Sequence, residues 1–361
     1  MAPTSPQIYS LITKFTALNG LNTYYFNVAR NVFKGTWELK IYCLIHHILC
    51  VLALGWMFYM TAGNMRICVT VLTMGGTSVF CMQFCWQKTQ GIRKLAKGLI
   101  KMEQRYFTGK PSGSLLKYRF YMKILFVLIT LLRVHLFYPM YLRQQLPSQF
   151  YLNLVSSWLI YNMLLAAVLL LYVFVWQMSR IQKLINEQMT LILTRSRVRN
   201  RLKKMQHCFK LYSKLLKLCD QLNFEFAYIS VCVLACKSWF QITYGYEIYQ
   251  ILAAPKSLDL SVAMRVFVIL SYILDALNLF VGTDIADIFA SFRADSQRIL
   301  RETNRMDRLL SMFTLKLALY PKQVVFLNVF TLDRKLTLAL IAKSTLYTIC
   351  WLQGDYNKLK A

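Results

Sequence analysis

The chain has 361 residues, of which 57% are hydrophobic and 16% charged, and its mean hydropathy is +0.41. A soluble domain of this length cannot hide so much apolar surface, so the composition excludes ordinary cytosolic folds and points to a membrane protein. The formal charge of +28 would suggest nucleic acid in a soluble protein, but the basic residues alternate with apolar runs; no nucleic-acid partner is expected, and attraction to anionic membrane lipid accounts for the excess.

In chain order, an arm over 1–40 leads into a first apolar stretch at 41–61, IYCLIHHILCVLALGWMFYMT. Others follow at about 67–86, 121–142, 152–177, 225–249, 262–286 and 336–354. Each reaches about 20 residues, enough for a hydrocarbon core of about 30 Å. Helix is the expected form, because a backbone group left unpaired in lipid is too costly. The N-terminal MAPTSPQIYSL lacks a charged-then-apolar signal peptide, so the first span is expected to act as the signal.

The charge pattern orients these spans. Of 43 Lys and Arg, 34 fall in the arm and in the connections after spans two, four and six. The opposite side has six: Arg66, Arg143, Lys256, Arg265, Lys358 and Lys360. Three more, Arg133, Lys237 and Lys343, lie within spans. Basic loops stay cytoplasmic, which places the N-terminus inside and, after seven crossings, a short tail at 355–361 outside. That is the reverse of a G-protein-coupled receptor, and no Asn-Pro-x-x-Tyr occurs in the last span. No Asn-x-Ser/Thr sequon occurs in the chain. No cysteine falls in an expected outside loop, so no structural disulfide is expected.

The inside connections are long and patterned. Residues 178–224 carry Ile181, Leu184, Ile185, Met189 and Leu193 at helical spacing, then Phe209, Leu215 and Leu216. Residues 287–313 carry Ile288, Phe289, Phe292, Ile299, Leu300, Leu309 and Leu310. Such stripes bury against partner helices. The fourth and sixth helices are therefore expected to project into the cytoplasm and pack there, with helices lying flat on the inner leaflet as the alternative. The fold class is all-α: a polytopic membrane protein with seven transmembrane helices, N-terminus inside, C-terminus outside, and cytoplasmic helical extensions.

Enzyme chemistry is thin, and neither a metal nor a cofactor is expected. His46 and His47 are adjacent and so face different sides of a helix. There is no metal-binding, phosphate-loop or nucleophile motif. Asp275, Asp284 and Asp287 on span six fit a structural role, with Lys237 or Arg133 as partners. The same charges could serve as the relay of a secondary transporter, but the paired halves and interrupted helices that transporters commonly show are not visible.

The C-terminal third resembles a family. The last span ends Leu346-Tyr347-Thr348-Ile349-Cys350-Trp351-Leu352-Gln353-Gly354. Insect gustatory receptors end with Thr-Tyr, five mostly apolar residues, then Gln-Phe. Tyr347 and Gln353 keep that spacing, while Leu346 stands where Thr is usual and Gly354 where Phe is usual. Phe330-Thr331-Leu332-Asp333-Arg334-Lys335-Leu336 is similar to the segment leading into the family's last helix. Leu218, Asp220, Asn223 and Phe226 resemble its pattern entering span five. The resemblance, which extends architecturally to the related odorant receptors, implies a ligand-gated cation channel of sensory neurons, assembled as a homo- or heterotetramer and requiring no G protein. It implies that 287–335 forms a cytoplasmic anchor, that 336–354 lines a central pore, and that 41–286 holds an outward-opening pocket for a small-molecule tastant.

Within that expectation, Leu346, Ile349, Cys350 and Gln353 share one face of the last helix and are the pore-lining candidates. Lys343 lies near the same face. Four ammoniums facing a pore would repel cations, so pairing with an acid on span six is favoured. Aromatic and amide residues on the outer halves are the ligand candidates: Tyr138, Trp158, Tyr161, Asn162, Trp239, Gln241, Tyr244 and Tyr272. Trp and Tyr also gather at membrane interfaces. Carboxylates are scarce there, Glu247 being the clearest, which favours an amphipathic, bitter-type ligand over a sugar.

Overall fold

A computed structural model describes residues 5–63, 65–107, 113–141, 147–195, 198–253, 262–301, 308–319, 324–327 and 330–360. It is nearly all helix. In chain order the elements are α1 (Ser5–Leu18), β1 (Tyr25–Asn27), β2 (Val32–Lys34), α2 (Trp37–Thr61), α3 (Met65–Gln87), α4 (Thr89–Tyr106), α5 (Ser114–Tyr141), α6 (Pro147–Arg195), α7 (Val198–Ala253), α8 (Val262–Arg301), α9 (Arg308–Leu319), β3 (Val325–Phe326), β4 (Phe330–Thr331) and α10 (Arg334–Lys360). Among the described residues, α2, α3, α6, α7, α8 and α10 are long and apolar enough to cross a membrane. The third expected span falls on α5. The protein is thus a multi-pass membrane protein.

The axis of the bundle is α6. Its most apolar window is 83% buried, and α2, α3, α5, α7 and α8 all pack on it. Its length explains the apolar stripe read at 178–195: the helix continues well past the span, and so do the N-terminal half of α7 and the C-terminal half of α8. These extensions pack together. Gln182 Nε2 donates to Ser296 Oγ at 2.7 Å, and Asn186 Nδ2 donates to the Phe292 carbonyl at 2.6 Å. Buried amide bonds of this kind fix the rotation of α6 against α8. The extensions therefore form a packed bundle rather than helices spread separately on a lipid surface.

Two regions at the basic end hold more structure than the sequence suggested. The arm is a folded unit. Helix α1 stops at Gly20, whose φ of 71° suits the left-handed C-terminal position. Leu21 N–H returns to the Thr16 carbonyl at 2.9 Å and Gly20 N–H to Ala17 at 3.0 Å, closing the helix. A Cβ at Gly20 would sit 2.6 Å from His46 Cδ2. The chain then makes an antiparallel hairpin pairing Phe26 with Phe33. Tyr9, Tyr24 and Phe26 are buried, and Tyr9 packs on Phe174 of α6 with ring centroids 6.1 Å apart. Burial, reinforced by the Glu103 carboxylate and by Tyr24, raises the Tyr9 phenol well above its ordinary pKa, so it stays neutral.

The second region is α4, an amphipathic helix with Ile92, Leu95, Ala96, Leu99, Ile100 and Met102 buried. It approaches α7 closely at Gly91 and Gly98. Its Glu103 is buried and held by Gln177 and Arg180 of α6. A buried carboxylate with both a charge partner and a neutral donor is an acceptable burial; a lone one is not.

Candidate functional site

Helix α10 is the element whose surroundings fit its composition least. Its most apolar window is 17% buried, the lowest share among the six candidate spans. The side it covers is small and polar. Ser344 Oγ donates to the Ser238 carbonyl and Thr348 Oγ1 to the Ile242 carbonyl, both at 3.3 Å, and Gly245 of α7 approaches Thr348 so closely that a Cβ there would lie 3.0 Å from its Oγ1. Short side chains with hydroxyls let two membrane helices come close. The remaining faces of α10 expose Lys343, Thr345, Leu346, Tyr347, Ile349, Cys350 and Gln353. All four residues expected to line a pore are thus exposed in the single subunit.

Lys343 corrects the sequence reading. It is exposed and, among the described residues, makes no ion pair with span six. Cations nearer those acids already hold them. Lys237 of α7 meets Asp275 at 3.5 Å. Asp284, fully buried, lies between Arg119 of α5, at 2.8 Å but not aligned for a hydrogen bond, and Arg334 of α10, whose Nε donates to it at 2.5 Å. Asp287 accepts the Arg334 backbone N–H at 2.9 Å. The side chain of Arg133, considered as a partner from sequence, lies outside the described residues.

The motif residues Asp333 and Arg334 explain how α10 begins. Asp333 Oδ1 accepts the Leu336 N–H at 2.7 Å, capping the helix, as an acidic N-cap does. Arg334 reaches across to α8. One turn further, Thr337 and Thr283 share a hydroxyl hydrogen bond of 2.7 Å. The start of α10 is therefore latched to α8 while its middle rests on α7. The missed partner in this latch is Arg119. The sequence counted it only as one charge of a basic connection, whereas α5 begins seven residues before the expected span and carries Arg119 inward.

The expected ligand residues separate by helix rotation. On α6, Trp158 is 43% exposed, whereas Tyr161 and Asn162 are buried. On α7, Trp239 donates from Nε1 to Thr70 Oγ1 of α3 at 3.1 Å and meets Trp351 of α10 edge-on at 5.7 Å. Tyr244 stacks on Phe240 at 6.1 Å, and Phe240 belongs with Leu164 and Cys236 to a small apolar cluster between α6 and α7, flanked by Met74 of α3. Gln241 is buried and Tyr272 is half-buried. The Tyr138 side chain lies outside the described residues. Two of these residues carry an unmet need: Asn162 Oδ1 and Gln241 Oε1 are buried acceptors with no hydrogen-bond partner. Native interiors rarely leave such groups unpaired. Trp239 is tied to α3 and α10 together, so it joins this region to the exposed helix.

The sequence profile described as 7tm chemosensory receptor matches residues 9–358 of this chain. None of the curated proteins matches it. Among solved structures, the chain is similar to the insect olfactory receptor OR5 from Machilis hrabei in complex with eugenol, with a TM-score of 0.74 and 11% identity over 96% of this chain and 97% of that one. It is likewise similar to the structure of the same receptor without that ligand in its description, with a TM-score of 0.71 and 10% identity over 96% and 98%. At that identity the likeness is one of fold.

Proposed function

This chain belongs to the 7tm chemosensory receptor family, and from that premise we propose that it works as a gustatory-type, ligand-gated cation channel in the plasma membrane of sensory neurons. Its N-terminus lies inside, four subunits surround a pore lined by α10, and the ligand is a small amphipathic molecule of bitter type. The observation that carries this reading is the polarity of the exposed part of α10. Lys343, Thr345 and Gln353 stand outside the subunit's own packing, on a helix long enough to span a membrane. Such groups are not left facing lipid; they face water or another subunit. Helix α2 is also poorly buried, at 28%, but its outward side is Ile41, Leu44, Ile45, Ile48, Leu49 and Leu52, which suits lipid.

The ligand is read into the α6–α7 region, where Asn162 and Gln241 offer acceptors beside Tyr161, Trp239 and Tyr244. Direct contacts join this region to α10: Trp239 touches Trp351, and α8 holds the start of α10 through Asp284 and Thr283. A ligand that reseats α7 or α8 thereby moves α10 in each subunit. The likeness to a receptor whose structure is described with eugenol agrees with a small aromatic or amphipathic ligand. The region 287–335 acts as the cytoplasmic anchor.

The test is current. Cells expressing the chain, alone and with co-expressed chemoreceptor subunits, are screened with bitter, sugar and volatile compounds under voltage clamp. A cation current evoked by a bitter compound is expected. In a background with Cys350 replaced by Ser, Ile349→Cys and Gln353→Cys are expected to react with external thiol reagents when ligand opens the channel, reducing the current. A receptor shown to bind a ligand at the surface but passing no current in any of these settings overturns the channel reading.

A further inference from the structure

A cavity of about 320 Å³ opens between α4 and α7. A single water needs roughly 10–15 Å³ by the same measure, so the space has room for a ligand and not only for a few waters. The two helices meet closely at Gly98 and Leu218. The cavity extends from there to Tyr106, whose ring meets His207 of α7 edge-on with centroids 5.2 Å apart. Met102 and Leu218 supply its apolar wall. The rest is polar: Lys101 and Arg105 of α4, with Lys214, Lys217 and Gln221 of α7.

The wall thus carries four cations and no carboxylate. All four side chains reach solvent, and among the described residues none of them forms an ion pair. Arg105 and Lys214 instead lie 5.6 and 5.9 Å from the Tyr106 ring centroid. The acids carried by the same two helices are engaged elsewhere. Glu103 is buried against Gln177 and Arg180 of α6. Glu225 sits beside Gly91, a turn beyond Gln221, and pairs with Lys88 at 3.9 Å. Asp220 feels Arg293 of α8, which opposes the upward push of burial on its carboxyl. A surface that mixes both signs stays solvated; like charges gathered in a concavity focus their field and concentrate anions there. The spacing suits more than one anionic group. Lys101 and Arg105 are one turn apart, as are Lys214 and Lys217, so each wall offers two cations about 4.5–6 Å apart along its helix axis.

We propose that this cavity binds an inositol ring carrying two or more phosphates, either as the headgroup of a membrane lipid or as the free anion. Lys101 and Arg105 hold one phosphate, and Lys214 and Lys217 hold another. Gln221, whose amide nitrogen is spent on the Gly91 carbonyl at 2.9 Å, has its oxygen left for a ring hydroxyl. A nucleotide fits less well, because cations already lie over the Tyr106 ring that would stack its base. The position suits a lipid: Gln221 to Lys214 lie 4 to 11 residues before the span expected at 225, about 6–17 Å along the helix, at and just beneath the headgroup layer. Basic pockets at that level take phosphorylated headgroups. An occupant that bridges the two walls ties α4 to α7, the helix against which α10 rests. The site can be tested by binding alone, in a membrane open to solution on both faces, whatever becomes of the channel reading or of the orientation.

The purified protein is held in nanodiscs of neutral lipid and heated with soluble inositol trisphosphate, with phosphatidylinositol bisphosphate in the lipid, or with phosphatidylserine at equal total charge. An upward shift in melting temperature is expected with one or both inositol phosphates and not with phosphatidylserine, since a bound ligand stabilises the folded state. A shift with the trisphosphate identifies a site open to the free anion, and one with the lipid alone a headgroup site. The variant pairs Lys101→Gln with Lys214→Gln, and Arg105→Gln with Lys217→Gln, are each expected to weaken binding about tenfold or more. These side chains are exposed and outside any ion pair among the described residues, so the variants should melt normally without ligand. Lys14→Gln with Lys40→Gln removes the same charge from exposed positions on α1 and α2 and should leave binding intact. An equal shift with phosphatidylserine, no shift with either inositol phosphate, or equal losses in the Lys14–Lys40 pair and the cavity pairs overturns the assignment.

Discussion

Arg334 in the first turn of α10 donates to Asp284 of α8 from Nε at 2.5 Å, and Asp284 has no exposure to solvent. Asp284 is thus the anchor on which α10 hangs, and it serves Arg119 as well. Replacing one partner of a buried pair costs about 3–5 kcal/mol because the other charge is left stranded. Asp284→Ala is expected to lower the melting temperature and surface expression sharply. Arg334→Ala should cost less, since that side chain is half-exposed. A double-mutant cycle should show coupling; strictly additive losses would sink the pairing.

Side chains of α7 rest directly on Gly91 and Gly98 of α4. A Cβ at Gly91 would lie 2.0 Å from Glu225 Oε1, and one at Gly98 would lie 2.7 Å from Leu218 Cδ2. Gly98→Val is expected to destabilise by about 1–3 kcal/mol through overpacking, read as a drop in melting temperature. Gly76, whose Cβ would meet nothing within 4 Å, is the control: Gly76→Ala should leave stability unchanged or slightly raised. Equal effects at the two positions would contradict the close approach.

Asn162 and Gln241 separate binding from folding. Their side-chain oxygens are buried and unpaired, so Asn162→Leu and Gln241→Met remove no existing bond to those atoms, and stability should hold or improve. If the oxygens accept from the ligand, the half-maximal concentration for activation should rise by about 1–3 kcal/mol equivalent, roughly 5- to 150-fold. Unaltered dose–response curves in both variants would move the ligand elsewhere.

Lys343 is exposed on α10 and, among the described residues, has no acidic partner. Four such ammoniums near a pore oppose cation entry. Lys343→Gln should therefore raise single-channel cation conductance without loss of assembly. Failed tetramer formation on native gels, with the current lost, would show that Lys343 pairs across subunits instead.

The 34-to-6 division of basic residues fixes the expected topology. An epitope after Ala361 should bind antibody on intact cells, and one at Met1 only after permeabilisation. The opposite pattern would remove the pore assignment along with the orientation.

The spans were legible because a hydrocarbon core demands a long apolar window. The projecting halves of α6 and α8 were legible because their stripes follow the helical period. The arm was not. Its buried Thr13 and Thr16 look exposed by composition, yet they spend their hydroxyls on the Tyr9 and Ile12 carbonyls at 2.6 and 2.9 Å, and its aromatic residues follow no period. Helix α4 had a readable stripe from Ile92 to Met102 that was hidden inside a charge count. At the candidate site, residue type was legible but direction was not. Trp158 and Tyr161 are three residues apart, yet one is turned out and the other in, because the rotation of α6 is set by bonds such as Ser78 to the Ile160 carbonyl at 2.8 Å. The Lys343 pairing failed for the same reason. Ser344 and Thr348 claim the α7-facing side of α10, and the acids of span six were taken by Arg119, Lys237 and Arg334.

The folded arm has a consequence for biosynthesis. Helix α1 and its hairpin precede every span in the chain, but the surfaces they cover are made later: Asn31 trades amide bonds of 2.8 Å with Gln104 of α4, and Tyr9 rests on Phe174 of α6. The opening segment must therefore wait, unpartnered, while successive helices are delivered to the bilayer, and it docks only after the fourth has been threaded. Translation and folding run in different orders here, and that side of the bundle is sealed by a part of the chain made before any of the spans.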